Sequence, residues 1–157
     1  MLPKSSLSLC LALVLFATTA QAANSVVMDV SATVLSKSNC KFPNGALALP
    51  FGAIDPSGTS NALASTTTTF SCAGSAPNAT FLITQDGGLF NASGNRLQHA
   101  TVVGAFLRYS LNLTPTSGTV AKNTTQTVTI SGTIAPADYQ QAIAGNYADT
   151  VTLTITP

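Results

Sequence analysis

A period of two runs through this chain almost from end to end, and it constrains the fold more than any other feature. Val26, Met28, Val30, Ala32 and Val34 alternate with Val27, Asp29, Ser31 and Thr33. Leu47, Leu49 and Phe51 alternate in the same way, as do Phe81 and Ile83. Leu107, Tyr109, Leu111 and Leu113 share one face, with Arg108, Ser110 and Asn112 on the other. Val128, Ile130 and Ile134 follow, with Gly132 breaking the series, and Val151, Leu153 and Ile155 come last, between threonines. Successive side chains of a strand point to opposite faces, so this pattern predicts half-buried strands. Turn chemistry separates the runs, at Pro43-Asn44-Gly45, Asp55-Pro56-Ser57-Gly58, Asp86-Gly87-Gly88, Ala92-Ser93-Gly94-Asn95, Ser117-Gly118 and Gly145-Asn146. Only residues 135–144 could hold a helical turn, with Pro136 and Asp138 near its start. The expected architecture is all-β, a two-sheet sandwich.

The first residues read differently. Met1-Leu2-Pro3-Lys4 is a short positive region, residues 7–17 are an apolar core, and Ala20-Gln21-Ala22 is a small-x-small cleavage pattern. Residues 1–22 are therefore expected to be a signal peptide, too short and wrongly flanked for a membrane span. No later run approaches 18 uninterrupted apolar residues. The remaining 135 residues carry five cations (Lys37, Lys41, Arg96, Arg108, Lys122) against five aspartates, with no net charge. Of these 135 residues, 34 are Ser or Thr, and Thr66 to Thr69 shows how they gather in strand runs. A threonine fits a pleat with its branched stem while its hydroxyl stays wet.

Export decides how the cysteines are read. Cys10 leaves with the signal, and Cys40 and Cys72 remain. Two cysteines in an oxidising compartment are expected to form one disulfide. A metal pair would have only His99, the one histidine, to help.

Charged residues make up 7% of the chain, and this excludes several classes of function. There is no basic stripe to neutralise phosphates, so no nucleic-acid partner is expected. The chain is expected not to be an enzyme and to need no cofactor or metal. His99 and Asp86 could be imagined in a serine triad, but there is no Gly-x-Ser-x-Gly elbow. Ser38-Asn39-Cys40-Lys41 fits Ser-x-x-Lys without any companion motif. The aspartates are scattered and glutamate is absent, which disfavours paired-carboxylate glycoside hydrolysis. Asp86-Gly87-Gly88 reads as a hairpin turn rather than a phosphate loop.

The C-terminal half carries a resemblance. Gly132-Thr133-Ile134-Ala135-Pro136, followed by Ala144-Gly145-Asn146-Tyr147-Ala148-Asp149-Thr150-Val151-Thr152-Leu153-Thr154-Ile155, resembles the ending of spore coat protein U domains. Upstream the order continues with Cys40, Leu49-Pro50-Phe51-Gly52, Cys72, Asp86-Gly87-Gly88, Arg96-Leu97 and Leu107-Arg108-Tyr109-Ser110-Leu111. That family includes subunits of archaic chaperone–usher pili. The resemblance implies an immunoglobulin-like β-sandwich that is incomplete, missing a final strand and completed by donor-strand complementation. It implies as partners neighbouring pilus subunits, a periplasmic chaperone and an outer-membrane usher, with passage through the periplasm to the cell surface. Residues 23–35 then read as an N-terminal extension, a candidate donor strand presenting Val26, Met28, Val30, Ala32 and Val34. Residues 36–157 read as the domain itself. The last strand, expected over residues 150–156 with Val151, Leu153 and Ile155 inward, would lie beside the groove and take part in docking the chaperone. The function implied is a structural pilus subunit supporting adhesion or biofilm. The alternative is a secreted or surface sandwich whose loops recognise a carbohydrate or host ligand, with residues 23–35 as its own first strand.

Overall fold

A computed structural model describes residues 26–33, 38–43 and 45–157. The chain divides into two units at Thr33. Residues 26–33 form neither helix nor strand, and all eight are exposed. The strand predicted there is therefore not formed in this structure, because an alternating strip becomes a strand only against a ladder partner. Val34 lies outside the described residues, as do residues 1–25.

The second unit is a sandwich of antiparallel strands. Its elements are β1 (Ser38–Lys41), β2 (Ala62–Gly74), β3 (Asn78–Gln85), β4 (Arg96–His99), β5 (Phe106–Arg108), β6 (Ser110–Thr114), β7 (Ser117–Ala121), β8 (Thr125–Ile134), α1 (Pro136–Tyr139), β9 (Tyr147–Ala148) and β10 (Leu153–Thr156). One sheet has the order β1-β2-β8-β6, a second β10-β3-β7 and a third β5-β4-β9. Every pairing is antiparallel. The longest ladder joins β2 to β8 from Ala62 opposite Ile134 to Ser71 opposite Thr125. Alternation sorts its two faces: Phe70, Cys72, Val128 and Ile130 point inward, while Thr67, Ser71, Thr125 and Thr127 stay exposed.

The main core unites the two larger sheets through Phe70, Val128, Ile130, Leu113, Phe81, Ile83 and Val120. Phe70 and Phe81 meet across it at 4.6 Å between ring centroids. A smaller cluster of Leu107, Ile134 and Tyr139 lies under α1. That helix has Pro136 at its start and Asp138 in its first turn, as the sequence led one to expect.

Several expectations change in detail. Gly132, the gap in the apolar series, lies within β8, where Phe51 and Leu49 fill the missing side chain's place, so close that a Cβ would lie 2.6 Å from Phe51 Cζ. The run from Leu107 to Leu113 keeps one inward face but divides at Tyr109 between two sheets. The turn at residues 86–88 is no hairpin, because β3 pairs with β10 and β7 rather than with β4. The run at Leu47, Leu49 and Phe51 has no ladder partner and forms no strand. The last strand begins at Leu153 rather than Thr150, which leaves Val151 outside it.

His99, the last residue of β4, is buried. Its Nδ1 accepts the backbone N–H of Thr101 (3.1 Å) and of Val102 (3.0 Å). The hydrogen therefore sits on Nε2, which donates to the Ala144 carbonyl at 3.1 Å. One imidazole thus ties the loop after β4 to the loop before β9. His99→Phe, which leaves both N–H groups without their acceptor, is expected to cost about 1–3 kcal/mol. Urea unfolding measures this directly.

Candidate functional site

An open cleft of about 590 Å3 lies at one side of the sandwich. Its floor is made by side chains that alternation turns inward: Thr66 and Thr68 of β2, Ile130 of β8, Leu111 of β6 and Leu97 of β4. Its walls are two stretches of chain that, among the described residues, have no ladder partner toward the opening.

The first wall is residues 46–49, which continue the chain from β1 through Phe42 and Pro43. Leu49 is half-buried and packs on the main core, whereas Leu47 stays 47% exposed. None of the backbone groups of residues 46–49 takes part in a ladder.

The second wall is residues 149–153. Thr150, Thr152 and Thr154 are exposed, while Val151, Leu153 and Ile155 are half-buried, the last two packed on the main core. On the side of β3, the Thr150 and Thr152 carbonyls accept N–H groups from Leu89 (3.2 Å) and Asp86 (3.1 Å). Backbone groups of successive residues point to opposite edges, so those of Val151 and Leu153 face the other way, toward the cleft. Among the described residues, β10 is the end strand of its sheet, with β3 on one side only.

Polar groups collect at one end. The Tyr109 hydroxyl donates to Asp149 Oδ2 at 2.6 Å, and the Leu89 N–H donates to Asp149 Oδ1 at 2.9 Å. Burial, and then its bond to Asp149, push the Tyr109 hydroxyl well above the usual tyrosine range. Asp86 Oδ1 accepts N–H groups from Thr152 (2.9 Å) and Gly88 (3.0 Å), which hold its carboxyl below the usual carboxylate range. The rest of the cleft lining, among the described residues, carries no charge.

The structure distributes the sequence-derived residues as follows. Cys40 and Cys72 stand directly opposite in the β1–β2 ladder and are joined by a disulfide. Val151 and Leu153 line the cleft, and Ile155 packs beside it against the main core. Val26, Met28 and Val30 are 92%, 79% and 81% exposed, Ala32 is exposed, and Val34 is outside the described residues. Sequence reasoning missed the first wall, whose signal was present in Leu47 and Leu49 but was read as an ordinary strand. It also missed Asp149 and gave Asp86 no part in the wall.

Catalytic geometry is not assembled around His99, whose two ring nitrogens are engaged by backbone groups. Among the described residues, no group of three or more His, Cys, Asp or Glu side chains could hold a metal ion. No helix among them is long and apolar enough to cross a membrane.

These features define an all-β sandwich in which, among the described residues, two stretches of backbone outside any ladder border one cleft with a largely apolar floor. The model of the Spore Coat Protein U domain matches residues 24–154, and the chain belongs to that family. Its members are exported surface components, associated with pili and coats of the chaperone–usher kind, and the family is structural rather than enzymatic. No curated protein matches the chain.

Proposed function

We propose that this protein is a structural subunit of a bacterial pilus or fimbria, exported with residues 1–22 as signal and assembled by donor-strand exchange. Residues 23–35 form the extension donated to a neighbouring subunit, and residues 36–157 form the accepting domain. A periplasmic chaperone fills the cleft in transit, and at the outer-membrane usher the extension of the next subunit replaces it. The polymer supports adhesion or biofilm at the cell surface.

The observation that carries this reading is the pair of unpartnered edges. A strand laid between residues 46–49 and residues 149–153 would find backbone donors and acceptors on both sides and apolar side chains beneath. Strand addition works in this way, with main-chain bonds for affinity and alternate side chains for specificity. Leaving such edges open invites indiscriminate pairing, which is a physical reason for a chaperone. The exposed strip Val26, Met28, Val30 and Ala32 has the required period of two, with Asp29, Ser31 and Thr33 on the opposite face.

The test is a mass ladder. Polymers of the mature protein are expected to survive unheated detergent and to collapse to monomer on boiling. A protein that remains a stable monomer when purified without a chaperone overturns the proposal.

A further inference from the structure

Residues 149–152 present an edge to the cleft, yet they have no strand behind them, because the ladder with β3 starts only at Leu153. A turn and two carboxylates stand in its place. The Asp86 N–H donates to the Thr152 carbonyl (3.1 Å) and the Thr152 N–H returns to Asp86 Oδ1 (2.9 Å). The Leu89 N–H serves the Thr150 carbonyl (3.2 Å) and also Asp149 Oδ1 (2.9 Å). Asp149 Oδ2 then takes the Tyr109 hydroxyl (2.6 Å), which ties the wall to the chain between β5 and β6. Gly88, at φ +79°, lies so close to the Asp149 carboxylate that any Cβ would collide with it.

We infer that Asp86 and Asp149 are the positioning residues of the accepting edge. The Asp86 carboxylate stands in for the missing ladder partner at Thr152, the Asp149 carboxylate tethers the segment to Leu89 and Tyr109, and together they keep the backbone groups of Val151 and Leu153 turned into the cleft. This inference rests on the strand-accepting reading above. Ionised carboxylates suit the task because they accept only, and hydrogen bonds to a charged acceptor are roughly twice as strong as neutral ones. An edge that wandered would lose its register with an incoming strand before any side chain was seated.

The anchor has a pH signature. Bonds from Thr152 and Gly88 favour the ionised form of Asp86, so its contribution is present above the ordinary aspartate range, about pH 4, and fades as pH falls through the lowered value. Among the described residues, Tyr109 is the titratable group that senses both carboxylates, by its bond to Asp149 and by the charge of Asp86, and its raised hydroxyl stays a donor through the neutral range. Among the described residues, no lysine, arginine or histidine is hydrogen-bonded to either carboxylate.

The experiment is amide hydrogen exchange on the mature full chain as monomer, run beside the detergent ladder, with Asp86→Ala, Asp86→Asn and Asp149→Asn. In Asp86→Ala the Thr152 amide is expected to exchange on the order of tenfold faster, while Val128 in the core keeps its protection. Ladder formation is expected to slow in all three variants. Wild-type Thr152 protection, corrected for intrinsic exchange, is expected to fall below about pH 4 and to be flat in Asp86→Asn. Unchanged Thr152 protection in Asp86→Ala, or the wild-type acid profile in Asp86→Asn, overturns the inference. If Val128 also loses protection in Asp86→Ala, the Asp86→Asn profile decides. Variants that ladder at the wild-type rate defeat the positioning role and leave the strand-accepting reading intact. A wild type that never ladders, but whose Thr152 protection depends on Asp86, defeats that reading and leaves the anchor standing.

Discussion

Met28→Asp or Val30→Asp is expected to abolish detergent-resistant polymers while the chaperone-bound monomer accumulates as before. Met28 is 79% and Val30 81% exposed, so neither change removes packing from the subunit that carries it. The effect falls on the acceptor. Val26, Met28, Val30 and Val34 would each contribute about 1.5–2 kcal/mol when buried, roughly 6–8 kcal/mol together. Whole domains are stable by only about 5–15 kcal/mol. An aspartate at either position would exchange one of those gains for a carboxylate in a largely apolar cleft, with no cation among the described lining residues to meet it. Ser31→Asp is the control, because Ser31 belongs to the opposite face of the strip and should polymerise normally. Unheated gels and electron micrographs read the result. Normal fibres from Met28→Asp would show that the strip is not the donor.

Much of the sandwich was legible because a period of two needs no tertiary information. Phe81 and Ile83, Leu107 and Leu113, and Val128, Ile130 and Ile134 all point inward as their alternation requires. The cysteines were legible for a chemical reason, since two thiols in an exported chain have one intramolecular pairing open to them. Alternation did not show the cleft, which only the family resemblance implied, and the cause is the same in both walls. Alternation reports which side chains want burial but is silent on whether a neighbouring strand exists. Leu47 and Leu49 carry the strand pattern and have no ladder; Val151 continues the pattern of Leu153 and Ile155 and lies outside β10. Asp86 and Asp149 were hidden for a different reason. A carboxylate 66 residues from Thr152 becomes its hydrogen-bond partner only through the fold, and Asp-Gly-Gly carries the local signature of a hairpin turn whichever strands flank it. The burial of His99 was hidden for the same reason, since it is set by loops that approach from residues 101–102 and from residue 144.

Removal of the disulfide in a Cys40→Ala, Cys72→Ala double variant is expected to cost about 3.5–4 kcal/mol on the loop-closure estimate for its sequence separation of 32. Against a total of about 5–15 kcal/mol this is a large fraction. The loss is expected to be uneven. β1 has four residues and one neighbour, β2, and its register with that neighbour runs through the Cys40–Cys72 pair. The chain leaves β1 directly into the first wall, where residues 46–49 have no ladder of their own. That wall is held by its covalent attachment to β1 and by Phe42 and Leu49 packing on the core. Once β1 can fray, the wall loses its fixed end and the two edges of the cleft lose their spacing. Urea unfolding of the monomer is expected to show the full destabilisation. Hydrogen exchange is expected to show β1 opening well before β8, whose ladder bonds to β2 and β6 remain. Polymer formation should fall further than global stability alone would dictate, because acceptance of a strand needs both walls at once. A double variant with the wild-type urea midpoint and a normal ladder would show that the packing of Phe42 and Leu49 holds the wall without the covalent tie.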